Sequence, residues 1–191
     1  MISGQIGPCG DAYSPDRLLG IEEAERYHAV QISVFRDTDV DLVTSLTLTH
    51  VEEAIGITRA ASAAGVPAVI SFTVETNGRL PSGQPLGEAI EAVERDDGES
   101  PAYYMINCAH PSHFENALEP SARWLERIRG LRANASALSH AELDESTELD
   151  EGDPAELGRQ HRELRNVLKN VNVLGGCCGT DHRHVDAIFQ A

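Results

Sequence analysis

The sequence is poor in basic residues and in long apolar runs. It contains 15 Lys and Arg residues against 31 Asp and Glu residues, which gives a formal net charge of −16 over 191 residues. A surface of this charge repels phosphates, so we expect neither a nucleic acid nor an anionic membrane as a partner. No apolar run approaches the roughly 18 residues of a membrane span, and the first residues do not resemble a signal peptide. We therefore expect a cytoplasmic protein.

Aromatic residues are also scarce, at 5%, but apolar residues as a whole make up 41% of the chain and charged residues 24%. This composition is typical of a globular protein and excludes the disordered, collagen-like and coiled-coil classes. At this length the chain suits one domain, so residues 1–191 are treated as a single unit. Only four cysteines are present. Without a secretion signal they are expected to be reduced thiols, available as metal ligands or nucleophiles.

The acidic residues are unevenly distributed, because eight of them and no basic residue lie between residues 141 and 157. Carboxylates in such a segment could bind Ca²⁺, but the spacing of a calcium loop with its central glycine is absent. Since runs of like charge are usually exposed, we interpret the segment as a solvated loop. Its acidic residues are Glu142, Asp144, Glu145, Glu148, Asp150, Glu151, Asp153 and Glu156.

Two kinds of apolar segment alternate along the chain. Short β-branched or aromatic runs, apolar on both faces, are typical of buried parallel strands. Such runs occur at residues 41–43, 68–74, 103–106 and 171–174, with weaker candidates at 3–6 and 131–133. Segments with helical spacing follow most of them, at residues 51–61, 86–93, 157–168 and 185–189. At the first of these, Thr49 and Glu52 fit a capping box and Gly65 ends the predicted helix.

This alternation, repeated about six times, indicates βαβ units and a parallel sheet. Two architectures satisfy it, an open doubly wound sheet and a (β/α)8 barrel. A barrel usually needs about 250 residues, so length alone favours the open sheet. No Gly-x-Gly-x-x-Gly follows a predicted strand and no Gly-x-x-x-x-Gly-Lys-Ser/Thr occurs, so dinucleotide and P-loop nucleotide sites are unsupported.

The most specific motif is Gly175-Gly176-Cys177-Cys178-Gly179-Thr180, which directly follows a predicted strand. Cys108, in Ile106-Asn107-Cys108, ends another predicted strand in the same way. Because the carboxyl ends of parallel strands meet at one edge, the three thiols are expected to converge. Three thiolates suit Zn²⁺ and leave the fourth tetrahedral position open, as in catalytic sites. The alternatives are buried cysteines at a Gly-rich turn or a vicinal redox pair.

These motifs resemble those of the homocysteine S-methyltransferases, a zinc-dependent family, over nearly the whole chain. Gly4-Gln5-Ile6-Gly7-Pro8 is similar to the family's third-strand motif and Ile70-Ser71-Phe72-Thr73 to its fifth strand. Residues 80–86 resemble the segment that follows, residues 106–108 the first zinc-ligand motif, and residues 175–180 the Gly-Gly-Cys-Cys-Gly signature.

The resemblance implies a reaction and a set of site residues. By this resemblance, the zinc ligands are Cys108, Cys177 and Cys178, and the candidates for substrate binding are Asn107, Asn134 and Gly176. Asn134 matches a family asparagine at the end of the seventh strand. The implied reaction transfers a methyl group from a sulfonium or quaternary ammonium donor to the zinc-bound thiolate of homocysteine and gives methionine, a step of methionine biosynthesis.

Two departures from the family are visible in the sequence. The family fold is an α/β, TIM-type (β/α)8 barrel, but matching the strands places the start of this chain near the third strand. We therefore expect an incomplete barrel of about six βα units, in a homo-oligomer or with a partner chain. In the fourth strand, Leu46 stands where the family has the glutamate that holds the substrate's amino group. The alternative function is a catalytically degenerate zinc-binding remnant, or a subunit that needs a partner chain to complete the barrel.

Other candidate residues have simpler interpretations. His161 lies on the apolar stripe of its predicted helix and is interpreted as a packed core residue. His182 and His184 follow the cysteine pair, but at i and i+2 they point to different sides of a helix, which favours surface or capping roles. His110 offers a Cys-x-His alternative, and Cys9 is interpreted as an ordinary free cysteine.

Overall fold

The computed structural model describes residues 1–13 and 17–191. Within them lies one parallel sheet of six strands, in which each strand pairs with the next along the chain. The strands are β1 (Ser3–Ile6), β2 (Leu42–Leu48), β3 (Ala68–Phe72), β4 (Tyr103–Asn107), β5 (Ile128–Ala133) and β6 (Val173–Gly176). The helices are α1 (Ile21–Arg36), α2 (Val51–Ala64), α3 (Leu86–Glu94), α4 (Pro111–Phe114), α5 (His140–Glu145), α6 (Pro154–Leu164) and α7 (His182–Gln190), with short 3₁₀ helices at Glu115–Ala117 and Arg123–Arg127.

The order of the strands distinguishes the two architectures that the sequence left open. A doubly wound sheet reverses its strand order at a switch point. This sheet runs from β1 to β6 without a reversal, as the strands of a (β/α)8 barrel do. The chain is therefore an α/β half-barrel, which confirms the expected TIM-type partial barrel and corrects the preference for an open sheet drawn from length alone.

The main core lies between the sheet and the helices that cover its convex face. β3 is buried along its whole length. Phe72 and Tyr104 stack with their ring centroids 6.4 Å apart, and Ile57 of α2 and Ile90 of α3 belong to the same buried cluster. Full burial of an apolar side chain of this size contributes about 1.5–3 kcal/mol, so this layer fixes the strand ends that carry the site.

Several predicted boundaries are corrected by the structure. The strand predicted at residues 41–43 extends to Leu48, and the candidate at 131–133 is the end of the longer β5. The strand predicted at 171–174 lies instead at Val173–Gly176, because both glycines continue the pairing with β5. The helix predicted at 157–168 begins earlier, at Pro154, where Asp153 caps it.

The start of α2 differs from the predicted capping box. Its N-cap residue is His50, without a side-chain capping bond, so the roles given to Thr49 and Glu52 are wrong. Glu53 turns inward instead: it is 1% exposed and accepts hydrogen bonds from the Cys9 backbone and from His28 Nε2. Through these hydrogen bonds, Glu53 connects the loop after β1 to α1. The predicted end is confirmed, since Gly65 adopts φ 70 at the C-cap.

Helix α1 was not identified from the sequence, because its apolar residues do not form one stripe. Ala24, His28 and Ile32 are buried, whereas Tyr27, Val30 and Val34 lie more than half exposed on another side. We call these three side chains the α1 face. Within the described part of the chain, no helix is long and apolar enough to cross a membrane.

The sheet has two free edges within the described residues, at β1 and at β6. The α1 face is exposed on the helix that follows β1, and Val185 and Phe189 are exposed on α7, the helix that follows β6. The concave face holds a cavity of about 490 Å³, lined in part by Leu46 and Arg132. Interior side chains fill this space in a closed barrel of eight strands. The half-barrel therefore leaves strand edges, helix faces and its concave interior uncovered.

Candidate metal centre

The carboxyl ends of β4 and β6 bring three cysteines together. Cys108 directly follows β4, and Cys177 and Cys178 follow β6. Their sulfur atoms all lie within 4.8 Å of one another, and the Cys108 and Cys178 sulfurs are 3.9 Å apart. Tetrahedral Zn²⁺ with Zn–S bonds of about 2.3 Å separates two sulfur ligands by about 3.8 Å. The thiols therefore have the spacing and the chemistry of a zinc site.

The turn after β6 positions the adjacent cysteines through backbone contacts. The Cys177 amide donates to the Ala133 carbonyl at 2.8 Å, and the Cys178 amide donates to Asn134 Oδ1 at 3.2 Å. Gly176 allows this turn, because a Cβ there would overlap the Thr180 side chain, whose hydroxyl donates to the Cys177 carbonyl. The end of β5 thus holds both cysteines toward the strand end of Cys108.

Two residues at these strand ends adopt left-handed backbone conformations. Thr47 has φ 62 and Cys108 has φ 52, and such values cost about 1–3 kcal/mol in residues other than glycine. Asn107 stabilises the arrangement: its Oδ1 accepts from the Thr47 amide and the Ser71 hydroxyl, and its Nδ2 donates to Thr47 Oγ1. Asn107 therefore joins β2, β3 and β4 directly beneath Cys108.

The three thiols alter one another's acidity. Hydrogen bonds with Cys177 and Cys178 lower the pKa of Cys108 well below its ordinary value. The hydrogen bonds with Cys108 raise the pKa of Cys177 and that of Cys178. A bound cation stabilises the thiolate form of its cysteine ligands. This group of three neighbouring thiols is therefore suited to binding a cation.

Two residues that the sequence did not indicate surround Cys108. Burial and a hydrogen bond with Cys108 raise the pKa of Tyr13, so its hydroxyl stays protonated. The Tyr13 ring contacts that of His140, with centroids 4.0 Å apart, and His140 Nε2 donates to the Cys108 carbonyl at 2.7 Å. Tyr13 lies in the loop after β1, and therefore at the carboxyl edge of the sheet. That position was the sequence signal that could have identified it as a site residue.

A cavity of about 460 Å³ opens beside the thiols. Cys178, Asn134 and Tyr13 line it on the side of the barrel. The acidic segment also lines it, through Asp144 and Glu148 among others. Its acidic residues are almost all exposed, as expected, but the segment is not a loop throughout, because α5 ends at Glu145 and α6 begins at Pro154.

The other candidate residues lie in different surroundings. Asn134 lines the thiol cavity, whereas Leu46 lines the concave-face cavity. Gly176 shapes the cysteine turn, and Asn107 makes its bonds to neighbouring strands. Cys9 is remote from the cluster, with its amide bonded to Glu53.

The histidine interpretations are largely confirmed. His161 is fully buried. His184 completes a capping box with Asp181 at the start of α7, and His182 is exposed on that helix. His110 accepts a hydrogen bond from the Ser112 amide as the N-cap of α4. Among the described residues, the only group with metal-ligand spacing is the three cysteines.

Comparisons with known proteins identify a family whose model matches the chain and solved structures with a similar fold. A family model described as homocysteine S-methyltransferase matches residues 1–191. No curated protein sequence matches the chain. Among solved structures, the metallated form of the homocysteine methyltransferase MmuM from Escherichia coli is similar, with a TM-score of 0.69 and 18% identity over 97% of this chain and 59% of that chain.

Two further forms of the same enzyme match in the same way. The oxidized form has a TM-score of 0.69 and 18% identity, covering 95% of this chain and 56% of that chain. The apo form has a TM-score of 0.68 and 19% identity, covering 98% of this chain and 61% of that chain. The chain thus spans about three fifths of the length of the enzyme it resembles.

Proposed function

The chain belongs to the homocysteine S-methyltransferase family, and from that premise we propose that it binds Zn²⁺ and transfers a methyl group to the thiolate of homocysteine to give methionine. The observation that carries the proposal is the convergence of three cysteine sulfurs within 4.8 Å at the carboxyl edge of the sheet. A thiol substrate and a methyl donor would meet in the adjoining cavity, which has about 460 Å³.

In this mechanism Cys108, Cys177 and Cys178 would hold the metal, and three protein ligands would leave a position for the substrate sulfur. Zinc, when bound, supplies a thiolate nucleophile at neutral pH by lowering the pKa of a thiol ligand. The new S–CH₃ bond forms as the bond between the methyl carbon and the onium centre of the donor breaks, and the electron pair of that bond stays with the donor. Tyr13 and His140 close one wall around Cys108, so they limit the directions from which the substrate approaches.

The residues proposed for substrate binding act in two ways. Asn134 lines the cavity and is the direct contact. Asn107 and Gly176 act on the substrate through the strand ends and the turn that they shape. A cytoplasmic location is proposed with this site, because reducing conditions keep the thiols available.

Metal analysis of the purified chain tests the proposal. We expect about one zinc per wild-type chain, since the three ligands are preorganised by the strand ends. Cys178→Ser should lose the metal, whereas Cys9→Ser is the matched control and should keep it, because Cys9 is not one of the three clustered thiols. Unchanged zinc content in Cys178→Ser would refute the ligand assignment.

The second candidate function is a zinc-binding remnant or subunit without independent turnover. The uncovered edges and concave face of the half-barrel favour it. A methyl-transfer assay of the zinc-loaded chain with S-methylmethionine and homocysteine separates the two candidates. Methionine formation by this chain alone supports the enzyme, and zinc binding without methionine formation supports the remnant or a requirement for a partner chain.

A further inference from the structure

The acidic wall of the thiol cavity gives an inference that rests on the proposed function and extends it. We propose that Asp144 and Glu148 bind the α-ammonium group of the thiol substrate and so make the site selective for an amino-acid thiol. Both residues line the cavity that also contains Cys178. The site would then recognise the ammonium group from α5 and the residues that follow it rather than from the end of β2.

The end of β2 cannot supply this recognition. Leu46 has an apolar side chain and lines the concave-face cavity, not the cavity beside the thiols. Glu53 of α2 is buried and already accepts hydrogen bonds from Cys9 and His28. A negative charge for an ammonium group near the thiols must therefore come from another element.

Asp144 and Glu148 differ from Asp150, the third acid that lines the cavity. The Asp150 carboxylate accepts from the Ser136 hydroxyl and the Gly152 amide, and Glu142 accepts from Ser139 in a capping box. Within the part of the chain that the structure describes, the carboxylates of Asp144 and Glu148 have no hydrogen-bond or ion-pair partner. Their oxygens are therefore available to a ligand in the cavity.

Asn134 is an independent indication of a ligand in the same cavity. Asn134 is only 2% exposed, and its Oδ1 accepts a hydrogen bond from the Cys178 amide. Its Nδ2 has no hydrogen-bond partner among the described residues and, because Asn134 lines the cavity, is open to a ligand there. The amide donor and the two carboxylates of the lining complement the carboxylate and the ammonium group of an amino acid.

The remaining walls suit the rest of such a molecule. Leu143 and Leu149 supply apolar surface beside the two acids, where the methylene groups of a thiol amino acid would lie. The cavity volume of about 460 Å³ is within the usual range for small-molecule sites. The wall is exposed to solvent, so each charge contact should contribute at most about fivefold in affinity.

The test compares two thiols that differ only in the ammonium group. Zinc-loaded protein is titrated calorimetrically with homocysteine and with 4-sulfanylbutanoate, its des-amino counterpart. We expect the wild type to prefer homocysteine about fivefold or more, and Asp144→Asn combined with Glu148→Gln to lose that preference while binding 4-sulfanylbutanoate unchanged. The matched control, Asp39→Asn combined with Glu52→Gln, removes the same charges outside the cavity and should keep the preference.

The other outcomes overturn the inference in distinguishable ways. Equal binding of both thiols by the wild type, or a preference that survives in the Asp144/Glu148 variant, refutes this inference alone. Failure of the zinc-loaded wild type to bind either thiol refutes the proposed function, and the inference with it. Both proteins are also titrated with tetramethylammonium, which represents a quaternary ammonium methyl donor. If the Asp144/Glu148 variant loses tetramethylammonium binding but keeps the preference for homocysteine, the acidic wall binds the methyl donor and the proposed contact with the substrate ammonium group is rejected.

Discussion

At the scale of single residues, His161 shows how the fold stabilises a neutral histidine. Its Nδ1–H donates to the Leu157 carbonyl at 2.9 Å. Its Nε2 is buried without a hydrogen-bond partner in the described part of the chain. Burial lowers the pKa of His161 below its ordinary value of 6.5, and burial likewise lowers the pKa of His110, to about 4. Both rings therefore remain neutral at neutral pH.

This burial predicts a stability that decreases in acid. Below about pH 6.5 the unfolded chain binds a proton on His161 that the folded chain does not, so the free energy of unfolding falls as the pH falls and is fully restored above that value. His161→Leu removes the titrating ring and leaves His110 in place. Urea unfolding at about pH 5 and pH 7.5 should show a smaller difference for His161→Leu than for the wild type. An identical difference in both proteins would contradict the neutral, buried state of His161.

At the scale of secondary-structure elements, the turn after β6 depends on Gly176 more than on its neighbour. A Cβ at Gly176 would overlap Thr180, whereas a Cβ at Gly175 would meet only Arg132 Cγ, at an ordinary 3.8 Å. Displacing Thr180 breaks its hydrogen bond to the Cys177 carbonyl, and with it the local geometry of the cysteine pair.

Gly176→Ala should therefore weaken zinc binding by about tenfold or more and lower the free energy of unfolding by about 1–3 kcal/mol, as overpacking typically does. The matched variant Gly175→Ala should leave both nearly unchanged. Competition with a chromogenic zinc chelator and urea unfolding measure the two effects. Equal zinc affinities in the two variants would show that the Thr180 contact does not position the cysteines.

The limits of prediction from sequence are visible in the same elements. The Cys177-Cys178 turn and the strand before Cys108 were predictable, because glycines and apolar runs are local signals. The residues that complete the site were not. Tyr13 reaches Cys108 from the loop after β1 and His140 from the start of α5, and no local sequence pattern encodes such a contact. The buried Glu53 was missed because its partners, Cys9 and His28, are distant in the chain.

At the scale of the whole molecule, the strand order and the uncovered surfaces have a common explanation. Six strands in sequential parallel order curve as a barrel does, yet they leave β1 and β6 without neighbours in the described chain. Unpaired strand edges and adjoining apolar faces favour association with another chain. We propose that a second copy covers these surfaces in the isolated protein, which is one of the two arrangements expected from the sequence, the other being a different partner chain.

The α1 face provides the sharpest test of that association. Val30 and Val34 are 71% and 63% exposed on α1, the helix that follows β1, so Val30→Lys combined with Val34→Lys should disrupt the contact without disturbing the core. The wild type should show a mass above 20.7 kDa in light scattering at about tens of micromolar, where weak contacts are detected. The variant should be monomeric, and the loss cannot come from added repulsion, because lysines reduce the net charge of −16. Ser82→Lys combined with Ser121→Lys adds the same charge at exposed positions elsewhere and should still associate. A wild-type chain that is a compact monomer under these conditions would show that the open half-barrel needs no covering partner.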